Sequence, residues 1–270
     1  MGHATFLLQI VGWNVLTDPM WSERASPVTF AGPRRLSPPG VAFDALPPID
    51  AVLLSHDHYD HLDDATVRRI AARWPDAHWA APLGVATQLR ARGARHVAEL
   101  DWWGGAALGP LAVTCVPAQH FSGRGVGDRD RTLWCGWVVR APHASGAARA
   151  GVLFAGDTGL HPEFGEIARR HGPFALALLP IGAYAPRWFM RPVHCDPDDA
   201  VAAYAALSAA QAATHAASAP VFGAMHWGTF RLTDEPPAEP AQRTRAAWSH
   251  VGHAAERLWV AALGETRRIG

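Results

Sequence analysis

The sequence contains no lysine, so arginine alone supplies its positively charged side chains. The 24 arginines balance 24 acidic residues, and no basic field argues for a nucleic-acid partner. No apolar run approaches the roughly 20 residues that a membrane span needs. Only three cysteines are present, with no Cys-x-x-Cys pair, which leaves one thiol unpaired in any disulfide scheme. These absences predict a cytoplasmic protein without a disulfide framework.

The hydrophobic content, by contrast, is sufficient for a large core. With 270 residues, 49% of them hydrophobic, the chain is interpreted as a single domain over residues 1–270. Strand-like runs alternate with helix-like segments, the pattern of a layered α/β fold. The stretch between Asp18 and Pro48 is rich in Pro, Gly and Ser, which predicts a long surface loop.

The predicted elements cover most of the chain. Strands are predicted at 4–10, 13–17, 50–54, 77–80, 96–100, 111–116, 133–139, 151–155, 174–179 and 221–224, with one or two more at the end. Helices are predicted from 63 to before Pro75, and at 84–92, 162–171, 196–217 and about 239–255.

The most informative stretch is Ser55–His61, which follows directly on the apolar run Asp50–Leu54. It holds three imidazoles and two carboxylates: His56, Asp57, His58, Asp60 and His61. Such a group at the end of a buried strand would be costly to enclose without a cation. We therefore expect a metal site here.

Three further potential ligands also follow strand-like runs: His120, Asp157 and His226. Ligands on several strand ends can converge at one edge of an α/β sheet. Seven ligands divide into a three-imidazole site and a site of two imidazoles and one carboxylate, with a further carboxylate between them. Two cations at roughly 3.5–4 Å would hold both the attacking and the leaving oxygen of a displacement.

The remaining histidines are scattered, and a lone histidine is more often surface or core than ligand. We predict that nine of them are surface or core residues and bind no metal: His3, His78, His96, His143, His161, His171, His215, His250 and His253. His3 is the least secure of these, because it lies just before the first predicted strand.

The cluster fits the His-x-His-x-Asp-His signature, and by it the chain resembles the metallo-β-lactamase superfamily. Short sequence segments on either side of the cluster resemble those of the N-acylphosphatidylethanolamine-hydrolysing phospholipase D family, which belongs to this superfamily. They include Leu16-Thr17-Asp18-Pro19, Leu100-Asp101-Trp102-Trp103, Pro117-Ala118-Gln119-His120, Ala155-Gly156-Asp157-Thr158-Gly159, Pro186-Arg187-Trp188-Phe189-Met190 and His226-Trp227-Gly228-Thr229-Phe230. This resemblance implies an αββα sandwich of the metallo-β-lactamase type with two zinc ions.

Carried over to this chain, the resemblance implies a division of the ligands. The first zinc would be held by His56, His58 and His120, and the second by Asp60, His61 and His226, with Asp157 bridging the two. It also implies that Tyr59 and His194 lie near the substrate phosphate. Arg187 and Trp188 are interpreted as structural anchors of their loop.

The implied reaction is phosphodiester hydrolysis of the phospholipase D type, in which a hydroxide between the metals attacks phosphorus and Asp157 orients it. The implied substrate is N-acylphosphatidylethanolamine or a related phosphodiester. We expect no nucleic-acid partner and no transmembrane span. We also expect peripheral contact with the inner membrane surface and a possible homodimer.

Three alternatives stay open. The same dinuclear centre would attack a carbonyl carbon just as well, so a lactonase or another ester hydrolase on a small polar substrate is the nearest rival. A diiron oxidoreductase on this fold favours Glu at the position of His58, because hard iron prefers carboxylate. A non-catalytic binding protein would be expected to lack some of the seven ligands.

Overall fold

The computed structural model describes residues 1–142 and 150–269, so the expectation for His143 lies outside the described residues. The strands form two sheets. The first sheet has five strands in the order β1-β2-β3-β4-β5. These are β1 (Leu7–Ile10), β2 (Trp13–Thr17), β3 (Ala51–Leu53), β4 (His78–Pro82) and β5 (His96–Leu100).

The second sheet has seven strands in the order β12-β11-β10-β9-β8-β7-β6. These are β6 (Gly105–Leu108), β7 (Leu111–Val116), β8 (Gly136–Arg140), β9 (Gly151–Phe154), β10 (Phe174–Pro180), β11 (Val221–Met225) and β12 (Leu258–Trp259). Strands β6 to β9 pair antiparallel, whereas β9 to β12 pair parallel.

Strand direction decides where the candidate ligands meet. In the first sheet β2, β3 and β4 run parallel. In the second sheet β7, β9 and β11 share one direction, because β8 is antiparallel to both of its neighbours. The segments that follow these strands therefore leave the sheets at shared edges, which is where open α/β sheets place their sites.

The described residues form six α-helices. They are α1 (Asp64–Arg73), α2 (Ala86–Arg90), α3 (Glu163–His171), α4 (Arg187–Met190), α5 (Pro197–His215) and α6 (Glu239–His250). Asp63 caps α1 and Asp196 caps α5, each through a side-chain oxygen that accepts a backbone N–H. None of the helices in the described part of the chain has the length and apolar character that a bilayer crossing requires.

The alternation of side chains along the first sheet separates two hydrophobic clusters. Leu53 and Ala80 face the second sheet and join the main core. Their neighbours Val52 and Trp79 face the other way, in a cluster with Val67 of α1. Because successive strand residues point to opposite faces, one sheet can serve both clusters. Helices α3 and α5 cover the outer side of the second sheet and complete the αββα layering predicted from the sequence.

Most predicted elements are confirmed, and the differences have local causes. Strand β6 was not predicted, because its Gly-Ala-Ala-Leu sequence has no apolar alternation. Helix α4 was interpreted as loop, because four residues are too few to show a helical period. Strand β1 begins at Leu7 rather than at residue 4, since Ala4 and Thr5 belong to a turn whose Thr5 N–H donates to Gly2 O at 3.1 Å. The main core is continuous across both sheets, which supports the proposal of one domain over residues 1–270.

Trp137 of β8 joins the two sheets directly below the histidine cluster. Its side chain is fully buried, and its indole N–H donates to the backbone oxygen of Leu54 at 2.8 Å. Leu54 lies two residues before His56, so this bond holds the segment that follows β3 against the second sheet.

We expect Trp137→Phe to lower the free energy of unfolding by about 1–3 kcal/mol, because it leaves the buried Leu54 carbonyl without its donor. The same substitution at Trp188, which is 83% exposed, should change it by less than about 0.5 kcal/mol. Urea denaturation of both variants is the measurement. Equal stability of the two variants would contradict the inter-sheet role of Trp137.

Candidate metal centre

Three imidazoles of the cluster converge on one point. The His58 Nδ1 atom lies 2.9 Å from His56 Nε2 and 3.2 Å from His120 Nε2. The other ring nitrogen of His120, Nδ1, lies 3.0 Å from the Val193 carbonyl oxygen and must donate to it, since a carbonyl only accepts. That bond fixes the tautomer and leaves His120 Nε2 as a free lone pair aimed at the cluster.

A second group lies beside the first and contains a carboxylate. The Oδ2 atom of Asp60 lies 3.3 Å from His61 Nε2 and 3.4 Å from His226 Nε2. The sequence prediction assigned these three side chains to one metal, and the structure brings them together.

Asp157 lies between the two groups. Its Oδ2 atom is 3.0 Å from His226 Nε2 and 3.1 Å from His61 Nε2, and 4.0 Å and 3.8 Å from the Nε2 atoms of His56 and His120. One carboxylate oxygen thus lies within 4.0 Å of imidazoles from both groups.

Several polar atoms of this cluster are buried and have no hydrogen-bond partner in the part of the chain that the structure describes. They are His61 Nε2, both ring nitrogens of His226, Asp157 Oδ1 and His194 Nδ1. An unpartnered polar atom in the interior is costly, and such atoms usually find a ligand. A set of imidazole and carboxylate donors around a shared point fits zinc, which takes nitrogen and oxygen ligands in nearly tetrahedral arrangements. The chemistry of the donors therefore fits a metal ion in each group.

The carboxylates set the protonation of the second group. Burial alone would raise the pKa of Asp157, but the imidazoles of His226 and His61 outweigh it and hold that pKa well below its usual range. Burial likewise pulls the pKa of His226 down, yet the Asp157 carboxylate raises it to about 9. The pKa of His61 is raised well above its ordinary value by the same carboxylate, against the effect of burial.

The first group behaves in the opposite way. Burial lowers the pKa values of His56 and His120 well below the ordinary value and also lowers that of His58. These three rings are therefore neutral at physiological pH. Neutral imidazole is the form that coordinates a metal.

Strained backbone positions two of these ligands. His226 has φ 61°, in the left-handed region that costs a residue with a Cβ about 1–3 kcal/mol. Asp157 follows Gly156, whose φ is 64° and where a Cβ would lie 2.5 Å from the Cys135 carbonyl oxygen. Only glycine fits there, so the sharp turn after β9 depends on it.

Asp18 is a functional residue that the sequence analysis missed. Its Oδ2 atom accepts from His61 Nδ1 at 2.6 Å, and its Oδ1 atom accepts the Ser55 N–H at 2.7 Å. The carboxylate therefore fixes the His61 tautomer so that Nε2 faces Asp60 and Asp157. The strand-end rule could have found it, because Asp18 follows β2, the parallel neighbour of β3.

The prediction that His3 is an isolated histidine is wrong. Its ring is buried, with Nε2 2.8 Å from Asp60 Oδ2 and the ring centroid 4.0 Å from that of His226. The backbone ties it to the same place, because the His226 N–H donates to His3 O at 3.0 Å. Burial lowers the pKa of His3 to about 3, which makes it a neutral donor to the Asp60 carboxylate. Its distance in sequence from the cluster hid this role.

His194 lies at the cluster, whereas the Tyr59 side chain contacts the 122–131 loop. The His194 ring is buried, with its centroid 4.9 Å from that of His120 and 5.3 Å from that of His226. Burial lowers its pKa to about 4. The Tyr59 hydroxyl donates to the Arg124 carbonyl at 3.0 Å, and the Arg124 guanidinium stacks on its ring. Tyr59 therefore also anchors the 122–131 loop.

The interpretation of Arg187 is confirmed and that of Trp188 is wrong. Arg187 donates to the His194 carbonyl at 3.0 Å and pairs with Asp196 and Asp199, so it fixes the segment that carries His194. Trp188 is 83% exposed and anchors nothing. Seven of the other isolated histidines stay outside the cluster: His78, His96, His161, His171, His215, His250 and His253.

Residues 13–215 match the family described as "Beta-lactamase superfamily domain". The chain belongs to the metallo-β-lactamase superfamily. This confirms the superfamily and the fold predicted from the His-x-His-x-Asp-His motif.

Two curated relatives in this superfamily extend over most of the chain. An uncharacterized protein of Mycobacterium tuberculosis (strain ATCC 25618 / H37Rv) is 45% identical, over 91% of this chain and 62% of that protein. The N-acyl-phosphatidylethanolamine-hydrolyzing phospholipase D 1 of Caenorhabditis elegans is 38% identical, over 91% of this chain and 67% of its own length. The chain thus spans less than two thirds of the first relative and two thirds of the second.

The metallo-β-lactamase fold is also found in solved structures. The crystal structure of an isothiocyanate hydrolase from Delia radicum gut bacteria superposes with a TM-score of 0.71, covering 99% of this chain and 96% of that one. The two sequences are 21% identical, so the likeness concerns the fold.

We expect Asp18→Asn to lower the zinc affinity of the second group about 10- to 100-fold, because the residue that orients a metal-binding imidazole typically contributes that much. The measurement is zinc retained during titration with a competing chelator. Asp44→Asn is the matched control, because it makes the same substitution at a side chain that is 84% exposed. It should retain zinc as the wild type does. Identical zinc retention in both variants would contradict the positioning role of Asp18.

Proposed function

We propose that the protein is a dinuclear zinc hydrolase that cleaves phosphodiesters in the manner of phospholipase D. The substrate would be N-acylphosphatidylethanolamine or a related phosphodiester. The observation that carries this proposal is the single Asp157 oxygen within 4.0 Å of four imidazole nitrogens from two ligand groups. The relative from Caenorhabditis elegans, whose name states the lipid reaction, supports the choice of substrate.

The donor set favours zinc. The proposed ligands are His56, His58, Asp60, His61, His120, Asp157 and His226, with no thiolate among them. Zinc ions held there would supply Lewis acidity and lower the pKa of a water molecule toward about 7. An imidazole at His58, where iron proteins of this fold would favour a carboxylate, argues against iron.

Asp157 is the proposed proton acceptor. The neighbouring imidazoles hold its pKa well below the usual range, so it stays ionised at neutral pH. Its Oδ1 atom has no hydrogen-bond partner in the described part of the chain and is free to orient an attacking water and accept its proton. General base catalysis of this kind typically contributes about 10²–10⁴ in rate.

His194 and Tyr59 are the proposed contacts to the phosphoryl oxygens. His194 has an unpartnered Nδ1 atom at the cluster, and its backbone is fixed by Arg187. Tyr59 can contribute when its hydroxyl turns from the Arg124 carbonyl to the substrate. Donors aimed at developing negative charge stabilise the transition state more than the ground state.

An exposed aromatic pair supports peripheral contact with a membrane. Trp188 and Phe189 of α4 are 83% and 63% exposed, with ring centroids 5.7 Å apart. Arg191 is exposed beside them, and no acidic residue lies between residues 183 and 194. Aromatic rings and arginine next to a site for lipid headgroups fit an anionic bilayer surface. We propose this contact from a cytoplasmic location; the homodimer stays a prediction.

We expect purified protein with zinc to hydrolyse N-acylphosphatidylethanolamine to phosphatidic acid and an N-acylethanolamine, as followed by mass spectrometry. A simple phosphodiester and a set of lactones complete the panel. Asp157→Asn should reduce kcat on the phosphodiesters at least about 100-fold, since it removes the proton acceptor.

Turnover of lactones alone would contradict the phosphodiesterase proposal and establish the rival ester hydrolase. Elemental analysis accompanies the assay and should return two zinc ions per chain. Iron without zinc would favour the diiron oxidoreductase instead.

We expect Trp188→Ser and Phe189→Ser each to weaken binding to anionic phospholipid vesicles by about tenfold or more, because a buried aromatic side chain is worth about 1.5–3 kcal/mol. Co-sedimentation with vesicles measures this. Val251→Ser, at an exposed apolar side chain beyond α6, should bind vesicles like the wild type. Equal binding by all three variants would contradict the membrane surface.

A further inference from the structure

A cavity of about 230 Å³ opens at the end of the second sheet opposite the candidate metal centre. Its walls include Phe174 and Val221, the first residues of β10 and β11. The candidate ligand His226 follows the last residue of β11, at the opposite end of the sheet. Seven residues of β10 at about 3.3 Å each separate the two ends by about 20 Å. The cavity is therefore distinct from the candidate metal centre.

Three arginines line this cavity: Arg257, Arg267 and Arg268. No acidic side chain is among the described residues that line it. Arg267 donates to the backbone oxygen of Glu256. Arg257 and Arg268 form no ion pair and no side-chain hydrogen bond within residues 1–142 and 150–269. Arg267 also interacts electrostatically with the Glu265 carboxylate, whereas Arg257 and Arg268 have no carboxylate partner among the described residues.

Ten arginines elsewhere in the described chain form ion pairs with carboxylates, whereas others, such as Arg68, form none. Guanidiniums pair with carboxylates at Glu23, Asp44, Asp64, Glu166, Asp196 and Asp198. The three arginines that line the cavity carry like charges, which repel each other, and Arg257 and Arg267 are partly buried. Such an arrangement is stabilised when an anion joins it.

The wall behind the arginines is rigid. The buried amide of Gln211 in α5 accepts the Phe174 N–H at 2.7 Å and donates to the Phe174 carbonyl at 3.1 Å. It also donates to the Ser218 carbonyl at 2.5 Å, which ties the end of α5 to the start of β10. A fixed wall keeps the cavity open, so that a ligand need not order it on binding.

We propose that this cavity binds a small phosphate-bearing anion. Guanidinium groups present planar pairs of N–H donors that match phosphate oxygens, and they remain charged at any physiological pH. The volume lies below the roughly 300–1,000 Å³ of pockets for drug-sized ligands. Free phosphate or a phosphomonoester of a few carbon atoms fits, whereas a diacyl lipid does not. This site is independent of the reaction at the metal centre.

The test is calorimetric titration of the zinc-loaded protein with inorganic phosphate, with glycerol 3-phosphate as a second probe. The substitutions Arg257→Gln and Arg268→Gln should each weaken one binding event by about tenfold or more, the usual worth of a charge-assisted hydrogen bond. Arg257→Lys should lie between wild type and Arg257→Gln, because it keeps the charge but loses the paired donors. Arg68→Gln removes an exposed arginine of α1 and should leave both probes bound as in the wild type.

Hydrolytic activity separates this site from the metal centre, where phosphate can also bind. The cavity variants should lose their binding event while they retain zinc and the wild-type rate. Tighter binding of glycerol 3-phosphate than of phosphate would identify a phosphomonoester as the ligand, and the reverse order would identify free phosphate. The proposal is overturned if folded Arg257→Gln and Arg268→Gln, checked by circular dichroism, bind both probes as tightly as Arg68→Gln does.

Discussion

The burial of the Asp157 carboxylate among imidazoles is the interaction on which the rest of this structure depends. An isolated carboxylate in the interior would be neutralised or expelled, so it persists only where cations surround it. The imidazoles of His61 and His226 lie about 3 Å from it, and its charge raises their pKa values. Because imidazole must be deprotonated to coordinate a metal, metal binding there would release protons.

The fold keeps these groups in place with bonds that lie outside the cluster itself. Asp18 fixes His61, Arg187 fixes the segment of His194, and Trp137 fixes the strand exit that leads to His56. The left-handed backbone at His226 is strain of the kind that only a well-packed surrounding structure can maintain. Rigid support of this sort is what turns a set of metal-binding side chains into a reactive geometry.

The candidate ligands could be predicted from the sequence because each of them directly follows a recognisable apolar run. Short apolar runs predicted most of the strands, and the polar residues after them predicted the seven side chains that the structure brings together. The ligand role and the zinc ions remain proposals. The role of His3 was not predicted, because its contact with Asp60 spans more than fifty residues of sequence and no local pattern encodes such a contact. Strand β6 and helix α4 escaped because weakly patterned or four-residue segments show no period. Trp188 was misread because exposure is a property of the packed chain.

The ligands of each group come from distant parts of the chain, and this has a consequence for how the protein holds together. All three cysteines are buried and free, so no disulfide among them links these parts. An ion shared by Asp60, His61 and His226 would act as a cross-link between the first sheet and the far end of the second. Closing so long a loop removes conformational freedom from the unfolded chain, as a disulfide does. Metal supply would then set the lifetime of the folded protein as well as its chemistry.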